Sequence, residues 1–584
     1  MKNKLFSALV AAALLLCGCY NTNVPGENES QETAVQAPAD LCLYENGAPI
    51  YSIVRPDAKN DAISEVVSTL WKTLMNTYEC ELTTTSDWVA DPSEIPTDSP
   101  EILIGMTNRP ESAEIASSLS GFVYRVTVLN NRIVILASSD SALKLAANAF
   151  LDTVTVDENG RVTVPADLDI SCTNEQVWKF DYIPVYDGGV YNGLSADCNT
   201  GFIAADNPSH IFGISQTNAE EFNAYIEKVK AEGFTVVQRA DWGNVLAYQC
   251  DKDDVSFYTY YTDGTKEVRI IDDNSATVSL EEFSYTAEPV EGASNDIYLY
   301  SLKMAPNKDY NGNPYADCGL FMFMKLADNS LFVIDGGHTN QVDPAEFLRL
   351  AREVTGTPEG EKVRVSCWFI THCHSDHMNG FRNILKTNSD ALQVERIMYN
   401  FMAGGHDINL SESNPDILYH KPHTGETISF GNVTMDVLYT QEDSMNITTM
   451  EYIPGESNGN GPENNACAVL KIHFDGKTFL VLGDIANTSS DVIESYYTAD
   501  QLKSDVMQAA HHSLNPLHTF YEKIDPKIVL NPQNKDSSNP TVQNVFSSLE
   551  SIADEVYYAG NETVGVRVTD GEAAVFYRAP IVLD

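Results

Sequence analysis

The sequence predicts an α/β protein of several domains, on three observations. Its 584 residues exceed what one hydrophobic core organises. Short runs of β-type residues alternate along the chain with stretches of helical apolar spacing. Histidine is also unevenly placed. Of twelve histidines only His210 precedes residue 300, and the other eleven fall between 338 and 518. The chemistry is therefore expected in the C-terminal half.

The first nineteen residues, MKNKLFSALVAAALLLCGC, pair a short basic start (Lys2, Lys4) with an apolar run too short to span a bilayer. They end in Leu16-Cys17-Gly18-Cys19, which resembles the lipobox of bacterial lipoprotein signals. That resemblance implies cleavage before Cys19, lipidation of Cys19, and a place at the bacterial cell surface, anchored to the membrane by lipid. Residues 20–40 are polar and without periodicity, as a flexible tether would be.

Residues 41–175 read as a first α/β unit. EILIGM and YRVTVLNNRIVILAS are strands, the latter a hairpin turning at Asn130-Asn131. SDSALKLAANAFLDTV is a helix with Ser139 or Asp140 as its cap. This order resembles the small accessory domain that precedes the catalytic barrel of α-glucuronidases and β-hexosaminidases, and the resemblance carries no catalytic residue. Residues 176–290 read as a second, small α+β unit. It has an amphipathic helix, NAEEFNAYIEKVKAEGF, and an aromatic hairpin, VSFYTYYTDGTKEVRIID, whose rings are expected to pack a sheet face. Residues 291–584 form the third unit.

Composition limits the partners. The formal net charge is −47, and residues 296–584 alone carry 19 Lys/Arg against 39 Asp/Glu. Without a basic face, tight non-specific nucleic-acid binding is not expected. A small anionic group held through bound cations remains compatible with such a chain. Beyond the leader, nine cysteines are scattered singly with no CxxC pair, and no disulfide is drawn.

The third unit carries the metal-type residues. KVRVSCWFITHCHSDHMNG is an apolar strand whose end delivers His372, His374, Asp376 and His377 within six positions. Imidazoles and a carboxylate so spaced, on a loop braced by a strand, are suited to zinc and related ions. SLFVIDGGHTN places Asp335 at the end of another strand, KTFLVLGDIA places Asp484, and LKSDVMQAAHHSLN places His511 and His512.

These motifs, in this order, resemble the metallo-β-lactamase superfamily. GETISFGNVTMDVLYT and ENNACAVLKIHFDGKTFLVLGD are similar to the hydrolase domain of bacterial competence (DNA-internalisation) proteins and to related exported phosphoesterases. The resemblance implies an αββα sandwich over 291–584 holding two divalent metal ions, Zn2+ or else Mn2+. It implies His372 and His374 on one ion, Asp376, His377 and His511 on the other, and Asp484 bridging them. Asp335 would brace the ligands from behind. Asp376 would orient the nucleophile, and His512 or Asn465 would meet the oxyanion or the leaving group.

The chain departs from that pattern at two glycines, having Asn379-Gly380 after the first motif and Ser513-Leu514 after the histidine pair. The histidine that many relatives carry before the bridging aspartate has no clear counterpart. His406, His420 and His423 are expected on loops or the surface, and Asn464 or Asn465 is expected to face the site instead. The expected activity is hydrolysis of phosphate esters, phosphodiesters above all, in an envelope glycopolymer or nucleic acid. The intact ligand set separates this reading from a surface binding protein with a relic domain. The missing histidine argues against a β-lactam substrate.

Overall fold

The computed structural model describes residues 40–97, 99–119, 123–178, 180–196, 209–273, 277–303, 318–401, 416–455 and 461–580. The leader, Cys19 and His406 lie outside the described residues, as does all of the tether except Asp40.

The first unit is a six-stranded sheet. Thr83–Ser86, Ser52–Arg55, Glu101–Ile104 and Arg132–Ala137 run parallel, and Tyr124–Leu129 and Asp169–Cys172 extend one side antiparallel. Helices Asp61–Tyr78 and Asp140–Leu151 cover one face, and Pro110–Ser117 covers the other. Asn130 and Asn131 turn the hairpin with φ of 49° and 59°, the left-handed pair a two-residue type I′ turn requires. Ser139 caps the second helix by accepting from the Ala142 amide.

The second unit is an all-antiparallel sheet of six strands with helix Ala219–Ala231 on one face. Its aromatic strand Val255–Thr262 serves both faces. Phe257 and Tyr261 pack under the helix with Phe222 and Ile226, whereas Tyr258 and Tyr260 face Met445, Ile447 and Met450 of the third unit. These rings are therefore core.

The third unit is an αββα sandwich. In one sheet Leu331–Asp335, Val363–Ile370, Arg396–Tyr399 and Leu418–His420 are parallel neighbours. In the other, Lys477–Val481, Val506–Gln508, Ile528–Asn531 and Glu555–Tyr558 are. Alternation along the second sheet fixes the layers. Leu470, Phe479, Val481, Val506 and Leu530 join a core shared with the first sheet, and Val469, Leu480, Met507 and Val529 pack beneath the helices around Ile493, Phe520 and Leu549. The boundary expected at 290 is corrected. Val278 N donates to Tyr419 O, Leu280 and Phe283 lie in the third unit's core, and Tyr285–Thr286 pairs with Thr427–Gly431.

The second unit is joined to the third by buried charge. Arg269 is 2% exposed and donates to the carbonyls of Glu442 and Met445 at 2.9 and 3.0 Å, while Tyr260 donates to Asp443 at 2.6 Å. His423 lies in a loop, one of its two expected places, but it is buried there and is not at the surface. Its ring stacks on Tyr258 at 4.7 Å, its Nδ1 lies 3.1 Å from Glu442 Oε1, and its Nε2 lies 3.5 Å from Asp273 Oδ2. Lys421 Nζ stands 3.6 Å from Asp273 and 3.9 Å from Glu442. His420, also buried, pairs with Glu426 at 2.8 Å.

Burial alone would lower the pKa of His423, but the contacts to Asp273 and Glu442 outweigh it and raise the value to about 10. A folded-state pKa raised above the unfolded ~6.5 stabilises fully below the latter and is lost as pH climbs through the former. The melting-temperature gap between wild type and His423→Gln is thus expected to narrow steadily from pH 6.5 to 10. A gap independent of pH would remove the charge from this role.

Candidate metal centre

The parallel strands of both sheets end at the same edge of the sandwich, and the candidate ligands sit on those ends. After Val363–Ile370 come Thr371 and His372; after Lys477–Val481 comes Asp484; after Val506–Gln508 come His511 and His512. Helix Ser375–Asn388 starts at once and carries Asp376 and His377 in its first turn. Gly380 holds it down. A Cβ there would lie 1.8 Å from the Gly336 carbonyl oxygen, and its amide donates to Gly337 O at 2.7 Å. Only glycine allows that approach, which is why this one of the two expected glycines is kept.

Asp335 orients the histidines. Its carboxylate accepts from Thr371 N at 2.8 Å, from Thr371 Oγ1 at 2.7 Å, and from His377 Nδ1 at 2.6 Å. Because the Thr371 hydroxyl proton goes to Asp335, the contact of 3.1 Å to His372 Nδ1 requires that nitrogen to donate. His512 Nδ1 donates to Pro532 O at 3.1 Å. Each of these rings therefore turns an Nε2 lone pair inward.

Two ligand groups result. Asp376, His377, Asp484 and His512 form one, and His372, His374 and Asp484 form the other, with Asp484 common to both. His512 Nε2 lies 3.1 Å from Asp376 Oδ2 and from Asp484 Oδ2, and His377 Nε2 lies 3.2 Å from Asp484 Oδ2. His377 Nε2 and His512 Nε2 face each other at 3.2 Å. Two lone pairs so close, with carboxylates around them, favour positive charge between them, supplied by a proton or by a metal ion. His372 Nε2 and Asp484 Oδ1 are buried with no hydrogen-bond partner, so the donor set fits divalent metal.

The electrostatics agree in sign. Burial disfavours a charged His377, but Asp484, Asp335 and Asp376 overcome it and raise its pKa well above normal. His512 is likewise raised to about 9, against its own burial, by Asp484 and Asp376. His372 goes the other way, lowered by burial and then by His377 and His374. Burial would raise Asp484, yet the charges of His377, His512 and His511 bring it well below the carboxylate range. The carboxylate-rich side thus demands positive charge, and the His372 side stays neutral and ready to ligate.

The histidine pair is corrected. His512, expected to act in catalysis, stands in the ligand group. His511, expected as the ligand, has its Nε2 3.9 Å from Asp484 and 3.2 Å from Asn464 Nδ2. The cause is backbone. His511, His512 and Ser513 are all left-handed, at φ of 46°, 49° and 62°. Such residues cost about 1–3 kcal/mol each. Asn531 Nδ2 holds the turn through Ser513 Oγ at 2.8 Å, as does Gln533 Nε2 through His512 O at 3.2 Å.

Asn465 is also corrected. Its side chain is taken by Pro454 O and Ser489 Oγ, both at 3.4 Å, so Asn464 faces the centre. Three supporting residues escaped the sequence reading. Cys318 Sγ donates to Asp376 Oδ2 at 3.6 Å. Gln508 holds the turn before Asp484 through the amides of Leu482 and Gly483, both at 2.8 Å. His338 is partly buried, its pKa lowered by burial against the opposing Asp376 charge. Only His338 carried a signal, as the histidine following Asp335-Gly336-Gly337. Among the described residues Cys42, Cys80, Cys172, Cys250, Cys367 and Cys467 are free thiols.

Replacing Asp335 by Asn would remove the acceptor that fixes His377. The affinity for the ion on the His377 side is expected to fall about 10–100-fold, read by competition with a chromogenic chelator. Unchanged affinity would mean that Asp335 only supports the turn.

No known family model matches the chain, and no curated protein does. Solved structures of similar shape do exist. The metallo-β-lactamase fold protein YhfI from Bacillus subtilis is 11% identical over 48% of this chain and 100% of its own, with a TM-score of 0.29. Zn2+-bound PqqB from Methylobacterium extorquens is 9% identical over 45% and 97%, with a TM-score of 0.29. A diphosphatase of the PhnP family is 11% identical over 46% and 86%, with a TM-score of 0.24. Likenesses this distant assign no role to any residue.

Proposed function

We propose that the chain is a metal-dependent hydrolase of phosphate esters, with phosphodiesters as the preferred class. The observation that carries this is the pair of ligand groups sharing Asp484, their lone pairs aimed into one buried centre at the strand ends. The substrate class is supported by the motif resemblance to exported phosphoesterases. The leader and the cysteine at position 19 support export and a lipid anchor at the bacterial surface, and the envelope supplies phosphodiester-linked polymers within reach.

The residues divide the work. His372 and His374 would hold one ion, Asp376, His377 and His512 the other, and Asp484 would join them. Two ions bound there supply Lewis acidity, lowering the pKa of water and stabilising charge that builds on a phosphoryl oxygen. Asp376 is the ligand group with 16% of its side chain exposed, against 2% or less for His377, Asp484 and His512, so it alone of that group can meet both the ion and an entering nucleophile. His338, uncharged at neutral pH and beside Asp376, can pass a proton at the rim.

The test is metal content, followed on the same sample by hydrolysis of bis(p-nitrophenyl) phosphate and nitrocefin. Two ions per chain, diesterase activity and no nitrocefin turnover are expected, with His374→Ala lowering kcat/KM by at least about 100-fold. A chain that binds neither zinc nor manganese and cleaves neither compound would overturn the reading.

A further inference from the structure

The two sides of the centre are unequal. The Asp376 side has four His or Asp donors, and the His372 side has three, one of them shared. Beside His511, whose Nε2 lies 3.9 Å from Asp484 Oδ2, a third buried atom lacks a hydrogen-bond partner among the described residues, the Asn464 side-chain oxygen. Asn464 is 1% exposed, and its Nδ2 donates to His511 Nε2 at 3.2 Å, leaving Oδ1 as a free acceptor. An unpaired carbonyl oxygen in the interior costs about 1–3 kcal/mol. Together with His372 Nε2 and Asp484 Oδ1 it makes three buried lone-pair atoms with no proton offered to any of them.

The backbone gives this oxygen a fixed place. Asn464 lies in the single turn Pro462–Asn465, which begins with proline and is closed by Cys467 N donating to Asn464 O at 3.3 Å. The residues after it are tied to both ligand-bearing loops. Ala468 N donates to Thr371 O at 3.1 Å, next to His372, and Cys467 Sγ accepts from Asp484 N at 3.3 Å. Asn464 is therefore positioned by the same contacts that position His372 and Asp484.

We propose that Asn464 Oδ1 is a further protein donor to the ion held by His372, His374 and Asp484. The inference rests on the metal-dependent reading above. It has a consequence for metal choice. An amide oxygen is a hard, neutral donor, so this side suits manganese better than an all-imidazole set would. Its neutrality also leaves more of the ion's charge for a substrate oxygen.

The full chain, stripped with chelator, is titrated with Mn2+ alone and with Zn2+ alone by calorimetry, with bound ions counted by elemental analysis. Wild type is expected to bind two ions. In Asn464→Ala one Mn2+ site should weaken tenfold or more while the other is unchanged. Asn464→Asp, which keeps the oxygen, should restore two Mn2+, and Asn464→His should restore two Zn2+ while remaining poor for Mn2+. Wild-type affinities in Asn464→Ala, with two ions bound to the parent, overturn this proposal alone. Asn464→Asp as weak as Asn464→Ala also overturns it, because the role would then be structural. A parent chain that binds no ion overturns both this proposal and the reading beneath it.

Discussion

One carboxylate, that of Asp335, sets the terms for the rest of the centre. It is fully buried, left-handed at φ 55°, and accepts three hydrogen bonds from Thr371 and His377. Those bonds tie the ends of two neighbouring parallel strands together, and they decide which nitrogen of His372 and of His377 keeps its lone pair. Without that choice the same residues would be a polar cluster able to satisfy itself internally. With it, Nε2 of His372 and of His377 face inward together with the carboxylates of Asp376 and Asp484, a set that favours positive charge.

The layers serve that centre. Both sheets bring parallel strands to one edge, so candidate ligands as far apart as His372 and His512 meet there. The second unit adds to the same edge. Asn400 follows the strand beside Val363–Ile370 and donates to Glu442 at 2.8 and 2.9 Å, and Glu442 in turn meets His423 against Tyr258. With Arg269 buried across the junction, this unit is built into the αββα sandwich and is no spacer. Taking one partner from such a buried lattice would strand a charge, which costs about 3–5 kcal/mol.

Much of this was legible in the sequence where local chemistry decides. The strand ends, the Asn130-Asn131 turn, the Ser139 cap, and the gathering of His372, His374, Asp376, His377 and Asp484 into candidate ligand groups follow from short-range pattern. What failed was decided by backbone hand or by distant contacts. His511 and His512 are equal as letters, and three left-handed residues choose between them. Asn464 and Asn465 differ only in which side of a single turn they occupy. His423 reads as a loop histidine because its partners, Asp273 and Tyr258, come from another unit more than a hundred residues away. The boundary at 290 was misplaced because the strand Tyr285–Thr286 is too short to show alternation.

A chain of formal charge −47 would oppose the approach of a phosphate ester of the proposed kind, and the centre offers a local answer to that repulsion. The carboxylates of Asp335, Asp376 and Asp484 are offset only in part by His377 and His512, whose pKa values are raised, so the metal-free centre offers phosphate little attraction. Two divalent ions bound there would leave the centre net positive. The acidic surface acts over longer range, and at physiological salt it is screened beyond about 8 Å. A long polyanion must cross that surface along much of its length, whereas a short ester or an isolated linkage meets mainly the reversed charge at the edge of the sheets. On the proposed function, this charge distribution would favour small or chain-end phosphodiesters over extended nucleic acid, and substrate affinity would depend on metal loading as much as the chemistry does.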